Sequence, residues 1–403
     1  MDYPKSVPGV GLKNGKFTDG NPLTGEVASL DPASWANGVT DELLAVISDS
    51  GLTPSESIQT QLRDALRNKY ADLTRTGTAG AINFRNKLIN GNFDFWQRGT
   101  TYNYTSGIST HCADRWYLAN IGTFGASTGL SRMALTPDEI PGASYALYWK
   151  RVAPVADTIS YEIGQRIEGV RTLAGKTITL SFWYKNDVGS APPFVSFSQI
   201  FGTGGSPSTI VSTSSQVIPA SSTWTKVVMQ FALPSIAGKT LGTNGDDFLV
   251  LKIVGPKDVA GGYYLSQVQL EEGLVATPFE QRPMQIELTL CQRYYRTSYE
   301  LGVRPGSISV NRGSPNSLVS SGNPVWVPTC ISFSPLMRAA PAVTIYQPST
   351  GAAGVIEETG EQNARAVQSV ESSASGIGLL ILSSAAASPS LSMQWHYVAD
   401  AEL

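Results

Sequence analysis

At 403 residues, with 15% charged side chains, 39 glycines and 24 prolines, the chain is too long for one ordinary core and has the composition of two or three β-rich domains. The formal net charge of -3 excludes a general attraction to nucleic acid or anionic membrane, and no run approaches the roughly 20 apolar residues that span a bilayer. Cys112, Cys291 and Cys330 are widely spaced and odd in number, which argues for reduced, mostly buried thiols; His111 and His396 are too few for a histidine metal centre.

Met1 to Ser6 has neither a basic start nor an apolar core, so no secretory leader is expected. Residues 1–38 are rich in Gly, Pro, Asn and Asp, with apolar punctuation at Val7, Val10, Leu12, Phe17, Leu23 and Leu30. Such an arm buries too little to fold alone and is expected to become ordered against a partner. Trp35 either anchors that docking or packs on the chain's own first helix.

A first helix is predicted to start near Thr40, with Asp41 and Glu42 at its positive end, and to stop at Gly51. A second is predicted from Thr53, where Thr53 and Glu56 match a capping box and Pro54 suits the first helical position. Its stripe of Ile58, Leu62, Ala65, Leu66, Tyr70 and Leu73 is apolar on one side only, so the segment is expected to pack on copies of itself. Residues 77–81, Gly-Thr-Ala-Gly-Ala, read as a hinge.

From residue 86 to 283 the texture is that of strands. Residues 88–99 read as the opening strand, 263–270 as the closing one, and 177–184, 224–231 and 248–253 as strands between turn-rich clusters. Strands of this spacing without interleaved helices close best as a two-sheet sandwich. Residues 284–297 carry Ile286, Leu290 and Tyr294 at helical spacing and predict a bridging helix. The last domain is again β, with strands predicted at 325–328, 342–346, 377–382 and 391–398.

A set of co-ordered motifs carries a resemblance. It comprises Leu88-Ile89-Asn90-Gly91-Asn92-Phe93-Asp94-Phe95-Trp96-Gln97-Arg98-Gly99, Ala113-Asp114-Arg115-Trp116, Gln165-Arg166-Ile167-Glu168 and Leu173-Ala174-Gly175-Lys176. To these add Val268-Gln269-Leu270-Glu271-Glu272-Gly273 with Thr277-Pro278-Phe279-Glu280, Leu290-Cys291-Gln292-Arg293-Tyr294-Tyr295, the tail from His396 to Leu403, and the run from Trp35 to Leu44. Together they resemble the tail-fibre proteins of tailed bacteriophages over nearly the whole chain.

The resemblance implies a mainly β protein: a tail-attachment arm at 1–38, a short helical stalk at 39–85, a central jelly-roll β-sandwich like a carbohydrate-binding module at 86–283, and a small C-terminal β domain at 284–403 forming the receptor-binding tip. It implies a homotrimer, fixed to phage tail-tip or baseplate proteins through Trp35, Leu23 and Leu30 and joined along Ile58, Leu62, Leu66 and Tyr70. The host receptor would be a lipopolysaccharide glycan, a pilus or an outer-membrane protein, and the protein would sit on the distal tail of the virion. No cofactor, nucleic acid or membrane insertion is implied.

Sugar-binding jelly rolls stack aromatic rings on pyranoses. The candidates are Tyr102 and Tyr104 in a polar stretch, with Trp96 and Trp116; Trp149, Tyr161 and Trp183 read rather as core. Asn90, Asn92 and Asp94 stand where related sandwiches place calcium ligands, but Gln267 and Gln269 occupy the closing strand where those modules supply a carboxylate, so local turn hydrogen bonds are the competing reading. Asp114 with Arg115, and Arg166 with Glu168, are expected to pair across a sheet. Asp246-Asp247 and Glu271-Glu272 are neighbours in sequence rather than the separated acids that glycoside hydrolysis needs. The enzyme alternative, a fibre-borne polysaccharide depolymerase, and a cellular carbohydrate-binding protein are the competing functions.

Deleting residues 1–38 is expected to leave a folded oligomer that no longer joins a phage tail. Circular dichroism and tail-reconstitution assays check this, and loss of folding would count against a docking role.

Overall fold

The computed structural model describes residues 8–14, 16, 18–30, 33–66, 84–151, 160–256, 260–309, 314–318, 325–359, 363–382 and 392–403, with the backbone alone at 33–34, 36, 104–108, 120–128 and 160. Val7, Phe17, Tyr70, Leu73, the 77–81 hinge and the Tyr104 side chain lie outside that description. The chain divides into two units, Met1–Asn83 and Phe84–Leu403.

In the first unit the arm is internally bonded, contrary to expectation. Antiparallel bridges join Lys13 to Lys16 and Asn21 to Glu26, the Leu30 N–H donates to the Val10 carbonyl at 2.9 Å, and Lys13 pairs with Glu26 at 2.7 Å. Leu23 and Leu30 project from this folded-back segment at 96% and 68% exposure. The first helix, α1 (Ala33–Asp49), starts earlier than predicted and carries the half-buried Trp35.

The second helix starts later than predicted. Its capping box is not used, because the Gln61 amide reaches back, accepting from the Ser55 N–H at 2.7 Å and donating to the Thr53 carbonyl at 2.6 Å. Residues 53–60 therefore turn, and helix is described over 61–66. Of the predicted stripe, Ala65 is buried and Leu62 half-buried, while Ile58 and Leu66 face solvent.

The second unit opens on a sandwich of β1 (Thr101–His111), β2 (Trp116–Ala134), β3 (Tyr145–Arg151), β4 (Ser160–Glu168), β5 (Thr177–Asn186), β6 (Phe194–Ile200), β7 (Val211–Ser212), β8 (Gln216–Val217), β9 (Thr225–Ala232), β10 (Phe248–Val254) and β11 (Gly261–Glu272). The order is β7-β6-β10-β4-β2-β3-β11-β5-β9, with β1 also on β2 and β8 on β6, and every pairing is antiparallel. The long β2 joins the two layers: Trp116 to Ile121 pair with β4, whereas Gly129 to Ala134 pair with β3. Trp96, Trp116, Trp149, Phe182 and Phe197 fill the core between them.

Residues 88–99 do not form the predicted opening strand. Asn90 and Phe93 both have φ of 57°, and the Asn90 amide closes a loop by donating to the carbonyls of Phe95 at 2.8 Å and Asp114 at 3.1 Å while accepting from the Phe95 N–H at 3.0 Å. The loop is a plug that carries Phe93 and Trp96 into the core. It lies along β11 at Gly91, where a Cβ would stand 2.1 Å from the Val268 carbonyl oxygen, so only glycine fits there.

The predicted bridging helix is α2 (Met284–Gln292); the run then switches to β12 (Tyr295–Thr297). The remaining strands are β13 (Asn316–Leu318), β14 (Val325–Ser332), β15 (Ala342–Tyr346), β16 (Val355–Glu358), β17 (Ala364–Ser373), β18 (Gly376–Leu382), β19 (Ser392–Gln394) and β20 (His396–Asp400). They form two sheets, β12-β20-β15 and β13-β19-β16-β17-β18-β14. The expected single strand at 391–398 is broken at the fully buried Trp395, so its halves serve different sheets around a second core.

The end of the chain clasps the sandwich. Arg98 and Arg115 both pair with the Glu402 carboxylate, Arg98 at 3.1 Å, and the Arg166 guanidinium donates to the Leu403 carbonyl. Arg98 and Arg115 also lie over the Tyr295 and Tyr294 rings at 3.5 and 3.4 Å. The expected pairing of Asp114 with Arg115 and of Arg166 with Glu168 is thus replaced: Asp114 faces Arg98 and Glu168 takes Arg293 at 2.9 Å. Burial opposes ionisation of Glu402, but Arg115, His111 and Arg98 together outweigh it and hold its carboxyl down at about 2. Asp114 differs because it reaches Arg98 only at 3.8 Å, and burial holds its carboxyl up at about 6 although both oxygens accept from Gln97.

A depressed folded-state pKa contributes stability above the unfolded value near 4.5 that is lost as pH falls toward 2. The shift corresponds to roughly 3 kcal/mol. Glu402→Gln is expected to lower stability at pH 7 by about that amount and to remove the matching loss between pH 4.5 and 2, measured by denaturant unfolding across that window.

Candidate functional site

Alternation along β3, β11 and β5 sorts their side chains. Trp149, Tyr263 and Tyr184 point inward and are buried, whereas Tyr148, Tyr264 and Lys185 form one outward row, since Tyr264 is the register partner of both Tyr148 and Lys185. All three outward side chains are half-buried.

The two tyrosine rings stack at 4.3 Å with 19° between their planes, and Trp224, just ahead of β9, stands edge-on to Tyr264 at 6.1 Å. Lys185 Nζ lies 4.8 Å from the Trp224 and Tyr264 rings. Glu139 fixes this end by accepting from Trp224 Nε1 at 2.7 Å, with Lys185 Nζ at 3.7 Å. Hydrogen bonds from Thr136 and Trp224 hold the Glu139 carboxyl below the usual carboxylate range.

Asp187 fixes the other end, accepting both tyrosine hydroxyls at 3.1 Å. Burial, with the neighbouring Asp187 charge, pushes both phenols above their ordinary range. The carboxylate sits against Gly262, where a Cβ would stand 2.1 Å from Asp187 Oδ2. Trp183, read from sequence as core, is half-buried two residues before Lys185 on the same face, beside Lys226 of β9. The result is a row of half-buried aromatic rings flanked by fixed acids and lysines, which suits a ligand with apolar faces and a hydroxyl-rich rim.

The predicted ligand residues lie elsewhere. Trp96 and Trp116 are 1% and 0% exposed, their indole N–H groups donating to the carbonyls of Phe93 and Asn90. Tyr102 is buried with its hydroxyl on the Arg98 carbonyl at 2.8 Å, and Trp149 and Tyr161 are core. None of these rings presents a face for stacking. Trp224 was signalled by its polar setting, Ser221-Ser222-Thr223 before it and Thr225 after; Tyr148 and Tyr264 carried no signal beyond alternation, whose phase sequence alone leaves open.

The calcium candidates do converge, around a cavity of about 30 Å³ that also touches Arg282 and Glu287. The Asn90 amide is spent on its own loop, and Glu287 is paired with Arg282 at 3.1 Å. Asp94, held above its ordinary pKa chiefly by burial, and Asn92 Oδ1, buried and without a partner among the described residues, are what remain. A hard dication takes six to eight oxygens, so this donor set does not fit calcium. Among the described residues no group of three or more His, Cys, Asp or Glu side chains is arranged to hold a metal ion.

Neither the protein-family models nor the curated proteins contain a match to this sequence. Among solved structures, the chain is similar to the enzymatically active domain of tailspike protein 4 of bacteriophage CBA120, at 13% identity over 47% of this chain and a TM-score of 0.28; it spans 22% of that chain's length. It is also similar to a proposed sugar-binding protein from Bacteroides thetaiotaomicron, at 15% identity over 47% of this chain and all of the other, with a TM-score of 0.31. The xylan-binding domain CBM22-1 from Paenibacillus barcinonensis aligns at 12% identity over 43% of this chain and 99% of its own, with a TM-score of 0.26.

Gly262→Ala is expected to displace Asp187 and release both tyrosine hydroxyls, costing roughly 1–3 kcal/mol as overpacking does. Spectrophotometric titration should then show the two phenols ionising nearer their ordinary range; an unchanged titration and unfolding midpoint would remove Asp187 as the anchor of this face.

Proposed function

We propose that this chain is a non-catalytic adhesin that binds glycan on a bacterial surface through the outward row of Tyr148, Tyr264, Lys185 and Trp224. The observation that carries the reading is the clustering of these ordered, half-buried rings on one sheet face with Glu139 and Asp187 fixed beside them. Stacking is tolerant of sugar identity, and the neighbouring charged groups supply orientation.

The finer reading is a tail-fibre protein of a tailed phage virion, docked through the arm and presented as a homotrimer, so that weak sites act together by avidity. The exposed Leu23 and Leu30 and the outward Ile58 and Leu66 support it, since each leaves apolar surface for a partner to cover. Adjacent acids favour binding over hydrolysis: Asp246 accepts from the Thr203 N–H, Asp247 from the Val170 N–H, Glu271 from Thr277, and Glu272 pairs with Lys176. Each is engaged in holding a loop or strand end.

The test is full-length protein on an array of bacterial lipopolysaccharides and capsular polysaccharides, followed by calorimetry. Tyr264→Ala is expected to weaken binding about tenfold or more, equivalent to roughly 1.4 kcal/mol, whereas Tyr102→Phe leaves it unchanged. Binding indifferent to Tyr264 would overturn the site, and sustained release of reducing ends would favour the depolymerase.

A further inference from the structure

Lys185 stands in the middle of the proposed glycan face with its donors unmet. Its Nζ lies 4.8 Å from both the Trp224 and the Tyr264 ring and 3.7 Å from Glu139 Oε1, beyond hydrogen-bonding distance. Among the described residues it donates no hydrogen bond. An ammonium carries three donors, and ring faces attract its charge without satisfying them. The side chain keeps 23% of its surface exposed, so those donors are open to whatever occupies the face.

The carboxylates beside it are already engaged. Glu139 accepts from Trp224 Nε1 at 2.7 Å through one oxygen, and from the Thr136 N–H and hydroxyl at 3.0 and 2.9 Å through the other. Asp187 gives one oxygen to each tyrosine hydroxyl at 3.1 Å. Both acids therefore hold rings and a loop in place, and neither hydrogen-bonds the lysine.

Two further lysines share this face. Lys150 follows Tyr148 by two residues on β3 and is the register partner of Gly262, and Lys226 of β9 is the register partner of Trp183. Both are exposed, and neither has an ion-pair partner among the described residues. They flank the row on opposite sides, with β11 and β5 between their strands, roughly 14 Å apart across the strands and roughly 13 Å along them. Cations so spread address several units of a chain.

We infer that the glycan bound by this face is acidic: a polysaccharide bearing carboxylates or phosphates at intervals, with one anion on Lys185 and others met by Lys150 and Lys226. The inference rests on the glycan reading of the aromatic row. Lysine meets carboxylate and phosphate alike as a point charge, so the shared feature is the anion. The rings around Lys185 supply the apolar contact that a polyanion without sugar rings does not use.

The test is the full-length protein on bacterial O-polysaccharides and capsular polysaccharides, each presented native, carboxyl-reduced by carbodiimide and borohydride, and dephosphorylated by hydrofluoric acid. These treatments remove the charge and keep the sugar chain. Expected are binding of acidic polysaccharides, a loss of about tenfold or more in the treated form that names the anion, and a native-to-treated ratio near one in Lys185→Gln but not in Lys185→Arg. Neutral polysaccharides bound as well as acidic ones, with both weakened by Tyr264→Ala, overturn the inference and leave the glycan reading standing. Binding of no polysaccharide overturns both. Equal binding of poly-glutamate, an anion without sugar rings, overturns the inference too, and the native-to-treated comparison on the wild-type chain decides it whether or not Lys185→Gln folds.

Discussion

The outward aromatic row exists because three strands hold one register. Tyr148, Tyr264 and Lys185 are paired across β3, β11 and β5, and each is followed or preceded by an inward aromatic, Trp149, Tyr263 or Tyr184. A slip of one residue in any of them would turn a buried ring outward and empty part of the core. Register is therefore enforced by burial, and the surface inherits its order from the interior. The β11 bulge between Ser266 and Gln269 lies beyond the row, so the irregularity that accommodates the plug at Gly91 leaves the row intact.

The same logic explains how two small cores act as one unit. The sandwich and the C-terminal sheets meet through arginines that stack on Tyr294 and Tyr295 and converge on the last residues of the chain. A buried guanidinium is costly unless its charge is met, and here planar rings and Glu402 meet it, although Arg98 Nη1 and Arg115 Nε are buried without a hydrogen-bond partner among the described residues. The arrangement makes Glu402 and Leu403 structural residues.

Much of the fold was legible in the residues. β-branched and aromatic runs located β5, β10, β11, β15 and β18, and Gly51 marked the stop after α1, because these signals are local. Side-chain bonds and strand pairing that no residue pattern announces decided the rest. Asn90 turned an apparent strand into a plug by bonding Phe95 and Asp114, Gln61 shortened a helix by reaching back to Thr53, and Trp395 split one strand between two sheets. The candidate site was hidden for the same reason. Sequence alone determined that the chain is mainly β; which aromatics face out is set by the phase of alternation, and only strand pairing in the folded chain fixes that phase.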